Sequence, residues 1–109
     1  MHRALDAIGG LAARAEHVAV TGNREYNPGW HTALDLGNLL TVAEAITRSA
    51  IERRESRGGH FRDDFPGKDT NFASFNITVR QGADGRMELN REAIRPMPDA
   101  LKQVIAEGG

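Results

Sequence analysis

The chain has 109 residues and 11.9 kDa, with 14 Lys+Arg against 15 Asp+Glu, a formal net charge of -1, and 39% apolar residues. That suits one small domain with a modest core, and it lacks the excess positive field that holds nucleic acid or an anionic membrane. The absence of cysteine excludes disulfide staples, thiolate nucleophiles, thiolate zinc sites and iron–sulfur ligation by this chain. The short apolar runs form neither a membrane span nor a signal peptide, so a soluble protein without direct membrane insertion is expected.

In chain order, Leu5, Ile8, Ala12, Ala15 and Ala19 recur on one helical face and predict a first helix over about 3–21, ended by Gly22. Gly9-Gly10 inside it marks a break or the close approach of another backbone. Asn27-Pro28-Gly29 has the chemistry of a type II turn. From Trp30 to Ser56 the set Leu36, Leu39, Leu40, Ala43, Ile46, Ala50 and Ile51 keeps helical spacing, predicting a long second helix with Arg53 and Arg54 in its last turn and Gly58-Gly59 as its stop. Glu44 and Arg48 pair at i,i+4 on it.

Residues 57–70 read as a charged loop. The period then changes to two: Phe75, Ile77 and Val79, then Met87 and Leu89, flank Asp84-Gly85 and predict a β-hairpin. Pro96 and Pro98 end it, and Asp99 caps a short last helix through Ile105, ahead of Gly108-Gly109. The expected fold is mainly α: an antiparallel helical hairpin, which is an incomplete three-helix, spectrin-repeat-like bundle, followed by a small β-hairpin and C-terminal tail. Residues 1–70 form the helical unit and 71–109 pack on it. Trp30, Leu34 and Val42 fall outside the main seam and require a cover: the hairpin, a third helix, or a partner.

The candidate site is RRESRGGHFRDDFPGKD, residues 53–69. A phosphate cradle at Arg57-Gly58-Gly59 is disfavoured, because these glycines follow a helix and meet its carbonyl end, whereas phosphate needs the amide end. His60, Asp63, Asp64 and Asp69 fit no standard metal-ligand spacing. His60 with Asp63 or Asp64 is conceivable as an acid–base pair, but no nucleophile or cofactor cradle accompanies it. The remaining reading is a structural corner: Arg57 and Arg62 present multidentate donors to helix-end carbonyls and to Asp63 or Asp64, and with His60 they form a charged docking face. Tyr26 and Trp30 read as an aromatic staple over the start of the second helix.

Residues 26–69, YNPGWHTALDLGNLLTVAEAITRSAIERRESRGGHFRDDFPGKD, resemble the carboxy-terminal helical domain of the flavoprotein subunit of succinate dehydrogenase and fumarate reductase. The string Glu55-Ser56-Arg57-Gly58-Gly59-His60, followed by Arg62, Asp64 and Pro66, carries the likeness. L-aspartate oxidase has a similar Glu-Ser-Arg-Gly string and is the main competitor, with a free-standing interaction module as the reading from another class. The resemblance implies a parent that interconverts succinate and fumarate through FAD and passes electrons to an iron–sulfur subunit. It further implies a cytoplasmic complex, peripheral on a membrane anchor.

The family's flavin- and dicarboxylate-binding residues have no counterpart here, so no catalytic, cofactor or metal residue is assigned and the chain alone is expected to be non-catalytic. It reads as a fragment of a larger flavoprotein. Its expected partners are the flavin-binding and capping domains, the iron–sulfur subunit, or further copies of itself.

Overall fold

The computed structural model describes residues 1–22 and 25–108. Gly109 of the expected terminal glycine pair lies outside them. Helix α1 (His2–Ala15) runs antiparallel along α2 (Pro28–Glu52), a 25-residue helix about 37 Å long at 1.5 Å per residue. A 3-10 turn (Phe72–Ser74) leads into β1 (Phe75–Gln81), which pairs antiparallel with β2 (Met87–Ala93), and α3 (Asp99–Gly108) ends the chain. Helices plus one two-stranded hairpin are the mainly α architecture expected from the residues.

Several boundaries move, each for a local reason. Helix α1 ends at Ala15 rather than near residue 21, with His17 and Val18 N–H donating to Arg14 and Ala15 carbonyls in a tightened last turn. The β-branched Val18, Val20 and Thr21 that follow disfavour continuing the helix. Gly9 and Gly10 neither break the helix nor meet another backbone.

Asn27-Pro28-Gly29 is a helix start rather than a type II turn. Asn27 Oδ1 accepts the Gly29 N–H at 3.1 Å, Asn27 Nδ2 donates to the Thr21 carbonyl at 2.9 Å, and Pro28 occupies the first turn, where its missing N–H costs nothing. The positive φ of this segment falls on Gly22 and Tyr26 instead. Helix α3 likewise begins one residue earlier than a cap at Asp99 requires: the Pro98 carbonyl accepts Leu101 and Lys102 N–H, which places Asp99 inside the first turn.

The hairpin is two-faced. Its register sets Phe75, Ile77, Val79 and Gln81 opposite Ala93, Arg91, Leu89 and Met87 on one face, and Asn76, Thr78 and Arg80 opposite Glu92, Asn90 and Glu88 on the other. The apolar face turns toward α2, where Val79 and Met87 share a groove with Val42 and Ala45. Gly85 takes φ 81° in the turn, with Arg86 N–H held by Asp84 Oδ1 at 3.0 Å.

The apolar core is smaller than the composition suggests. Phe72 is the one buried apolar residue among the described residues, and Leu39 and Ile46, both placed in the seam by their spacing, are 64% exposed. They lie on the side of α2 away from α1. Consistent with an open shape, the Cα radius of gyration is 19.9 Å, against about 13 Å for a compact chain of this length. Phe72 is therefore the apolar anchor: its ring meets Phe75 at 5.2 Å, with the guanidiniums of Arg91 and Arg53 at 5.3 and 5.8 Å. In urea unfolding, Phe72→Ala is expected to cost about 3 kcal/mol, whereas Leu39→Ala at its exposed site is expected to cost less than about 0.5 kcal/mol.

Candidate functional site

The second helix stops at Glu52, before the Gly58-Gly59 pair expected to end it, because the chain turns to bring Glu55 inside. Arg53 is extended (φ -82°, ψ 97°), so Arg53 and Arg54 lie beyond the last helical turn. Gly58 instead shapes the loop: its φ of 59° allows the tight turn in which Arg57 and His60 exchange backbone hydrogen bonds.

Glu55 is fully buried at 0% exposure. Its Oε1 accepts from Arg53 Nη1 at 2.6 Å and from Arg57 Nε at 2.9 Å, and its Oε2 accepts the Asp69 N–H at 2.9 Å. The same two arginines reach onward, Arg53 to the Phe72 and Phe75 carbonyls and Arg57 to the Asp69 carbonyl. One carboxylate thus ties the end of α2 to the loop and to the hairpin's root. The hydrogen bond from Arg57 outweighs the opposing effect of burial and, with those from Asp69 and Arg53, lowers the Glu55 pKa from 4.5 to about 2.

Arg62, also buried, answers the carbonyl end of α2. Its Nη1 donates to the carbonyls of Ala50 (3.0 Å), Ile51 (2.8 Å) and Arg53 (3.3 Å), while Nε and Nη2 grip Asp64 in a bidentate pair at 2.9 and 2.6 Å. Its guanidinium lies 4.9 Å from the Phe65 ring centroid. That pairing lowers the Asp64 pKa and raises that of Arg62. Ser56 closes the loop: its Oγ accepts the Arg62 N–H at 2.8 Å and donates to the Phe65 carbonyl at 2.8 Å, and its own N–H donates to the Gly67 carbonyl.

The residues singled out by sequence separate as follows. Arg57 and Arg62 both work within the corner, but Arg57 pairs with Glu55, and of the two aspartates only Asp64 pairs with Arg62. Asp63 is exposed and makes no hydrogen bond among the described residues. His60 Nε2 lies 3.1 Å from the Arg53 carbonyl, half-buried at the edge. Tyr26, 95% exposed, does not cover the start of α2; Val20 packs there instead, against Gly29. Trp30 stacks edge-on with His31 at 5.3 Å.

Arg53, Glu55 and Ser56 lie within the 53–69 stretch but carry no expected role in the corner, and Phe72 lies outside it. The available signal was Glu55 itself, one acid set among Arg53, Arg54 and Arg57.

Chemically, this arrangement binds itself. The amides of Arg57 and His60 are spent on each other, and the carbonyls at the α2 terminus are met by Arg62, so the residues present do not fit a flavin pyrophosphate. No group of His, Asp and Glu among the described residues is arranged to hold a metal ion.

The folded-state pKa of Glu55 lies below its ordinary value. Its contribution to stability is therefore complete above about pH 4.5 and is lost as pH falls toward 2. The melting temperature of the wild type should fall across that window. Glu55→Gln should melt lower at pH 7, by ~10 °C, because two guanidiniums lose their buried carboxylate, and should depend less on pH between 4.5 and 2. Parallel pH curves for the two proteins would rule out this role for Glu55.

Comparison with known proteins places the whole arrangement. The family model described as "Fumarate reductase flavoprotein C-term" matches residues 1–103. The fumarate reductase flavoprotein subunit of Haemophilus influenzae is 40% identical over 70 residues, covering 63% of this chain and 12% of that protein. The Escherichia coli subunit of the same name is 33% identical over 108 residues, covering 94% and 18%. An L-aspartate oxidase of Halalkalibacterium halodurans is 38% identical over 74 residues, covering 66% and 14%. The solved structure of Mycobacterium smegmatis Sdh1 in complex with UQ1 superposes with a TM-score of 0.84 at 35% identity, covering 95% of this chain and 18% of that one. The chain thus spans less than a fifth of the length of these relatives.

Proposed function

The chain belongs to the C-terminal family of fumarate reductase flavoproteins, and on that premise we propose that it is a structural and docking domain whose parent interconverts succinate and fumarate. The observation that carries this reading is the corner around Glu55. It is a closed set of ion pairs and hydrogen bonds that shapes the chain, while large apolar faces on either side stay exposed. A site organised for chemistry would leave a donor, acceptor or nucleophile aimed into a cleft; here the buried polar side-chain atoms among the described residues all find partners within the chain.

The parent holds FAD and passes electrons to an iron–sulfur subunit, in keeping with relatives described as flavoprotein subunits. The helical pair packs on the flavin-binding and capping domains, and Arg57, His60, Arg62, Asp63 and Asp64 form the docking corner, with Tyr26 and Trp30 at the opposite end of α2. No helix among the described residues is long and apolar enough to cross a membrane. Independently of that, the family membership supports a parent complex that is peripheral on the cytoplasmic side of a membrane and attached through other subunits. The coverage of the fumarate reductase relatives, up to 94% of this chain, favours that parent over L-aspartate oxidase, where the match stops at 66%.

The test is reconstitution. Mixing this chain with the separately expressed flavin-binding part should give a complex and restore fumarate-dependent turnover, and Arg62→Ala should weaken the complex. Full activity of the flavin-binding part alone, with no binding of this chain, would overturn the docking role.

A further inference from the structure

The corner spends most of its charged side chains on itself. Glu55 and Arg62 are buried, and Arg57, Arg62 and Asp64 are all engaged in ion pairs within the loop. Groups so engaged keep few donors or acceptors for anything outside. Two residues of the same loop are different. Phe61 and Asp63 flank the inward-pointing Arg62, and both are turned out. Phe61 is 68% exposed and makes no ring contact among the described residues, whereas Phe65 rests against the Arg62 guanidinium. Among the described residues Asp63 is the one carboxylate of residues 53–69 that makes neither a hydrogen bond nor an ion pair.

Phe61 cannot turn inward, because its flanks are fixed. On one side His60 and Arg57 exchange backbone hydrogen bonds at 2.7 and 3.0 Å. On the other the Arg62 N–H donates to Ser56 Oγ at 2.8 Å, while the Arg62 guanidinium holds the carbonyls of Ala50, Ile51 and Arg53. The ring is therefore displayed by a preorganised loop, the condition under which an aromatic anchor binds at little ordering cost.

From this pair we propose that Phe61 and Asp63 are the contact residues of the corner, Phe61 filling an apolar pocket and Asp63 meeting a lysine or arginine at its rim, both on the flavin-binding part of the parent, which rests on the docking role proposed above. The buried arginines shape the loop, and the residues on either side of Arg62 make the contact. The unpaired carboxylate sets the charge of the surface it meets. The flavin-binding part is the occupant because this chain covers only 12% and 18% of the fumarate reductase subunits it resembles, so most of such a polypeptide is joined to the loop covalently. A part joined in this way meets the loop at high effective concentration, which favours it over a separate subunit.

The test is calorimetric titration of the chain with the separately expressed flavin-binding part at low and high salt. Phe61→Ala should raise the dissociation constant about tenfold or more, and Phe61→Leu should recover much of that loss. Asp63→Asn should raise it about threefold at low salt and flatten its dependence on salt. All three variants should melt with the wild-type chain, since no contact within the chain is removed. Wild-type binding that Phe61→Ala leaves unchanged, or a Phe61→Ala chain that melts lower, would overturn the anchor and leave the docking role standing. An unaltered salt dependence in Asp63→Asn would overturn the ion pair. Absence of binding by the wild-type chain would overturn the docking role and the anchor together.

Discussion

The carbonyl end of a long helix must be satisfied, and here one guanidinium does it. Arg62 reaches back to the carbonyls of Ala50, Ile51 and Arg53 while its other edge is fixed by Asp64. The planar fork of arginine suits this double duty, which a lysine ammonium could not reproduce. Once α2 ends at that point, Arg53 leaves the helix extended, Glu55 turns inward, and the loop to Asp69 wraps around a buried carboxylate. The hairpin's root follows, because the same Arg53 holds the carbonyls of Phe72 and Phe75.

Such a corner is a costly way to build a domain. A fully buried carboxylate forfeits its hydration, and the interaction with cations regains it only when every acceptor is used. Glu55 meets that condition with two guanidiniums and a backbone amide, which is why its pKa falls despite burial. The gain is geometric. The network fixes the angle between the helical pair and the hairpin, reinforced by Arg91, which bridges Glu52 and lies 4.7 Å from the Phe75 ring centroid. A chain with so little apolar core of its own is held in shape by polar contacts while its apolar faces remain available to partners.

Much of this architecture was legible in the sequence, and the exceptions share a cause. Periodicity located both long helices and the hairpin because side-chain spacing is a local property. It could not rank Leu40 above Leu39 for burial, since both fit a helical apolar face and only the position of α1 decides between them. Gly58-Gly59 was a reasonable stop signal, overridden by the tertiary demand to bury Glu55. The role of Arg62 as a multidentate donor to helix-end carbonyls followed from residue chemistry. Its partner choice, Asp64 over Asp63, depended on loop geometry that no spacing rule encodes, and Tyr26 lost its expected role to Val20 for the same reason.

The polar corner, rather than the helical seam, should be the most firmly held part of the chain. Native-state amide hydrogen exchange tests this residue by residue. The N–H groups of Ser56, Arg57, Arg62 and Asp69, bonded to Gly67, His60, Ser56 and Glu55, should be among the slowest to exchange, and those of α1 and α3 among the fastest. Amides of α1 that outlast those four would contradict the account.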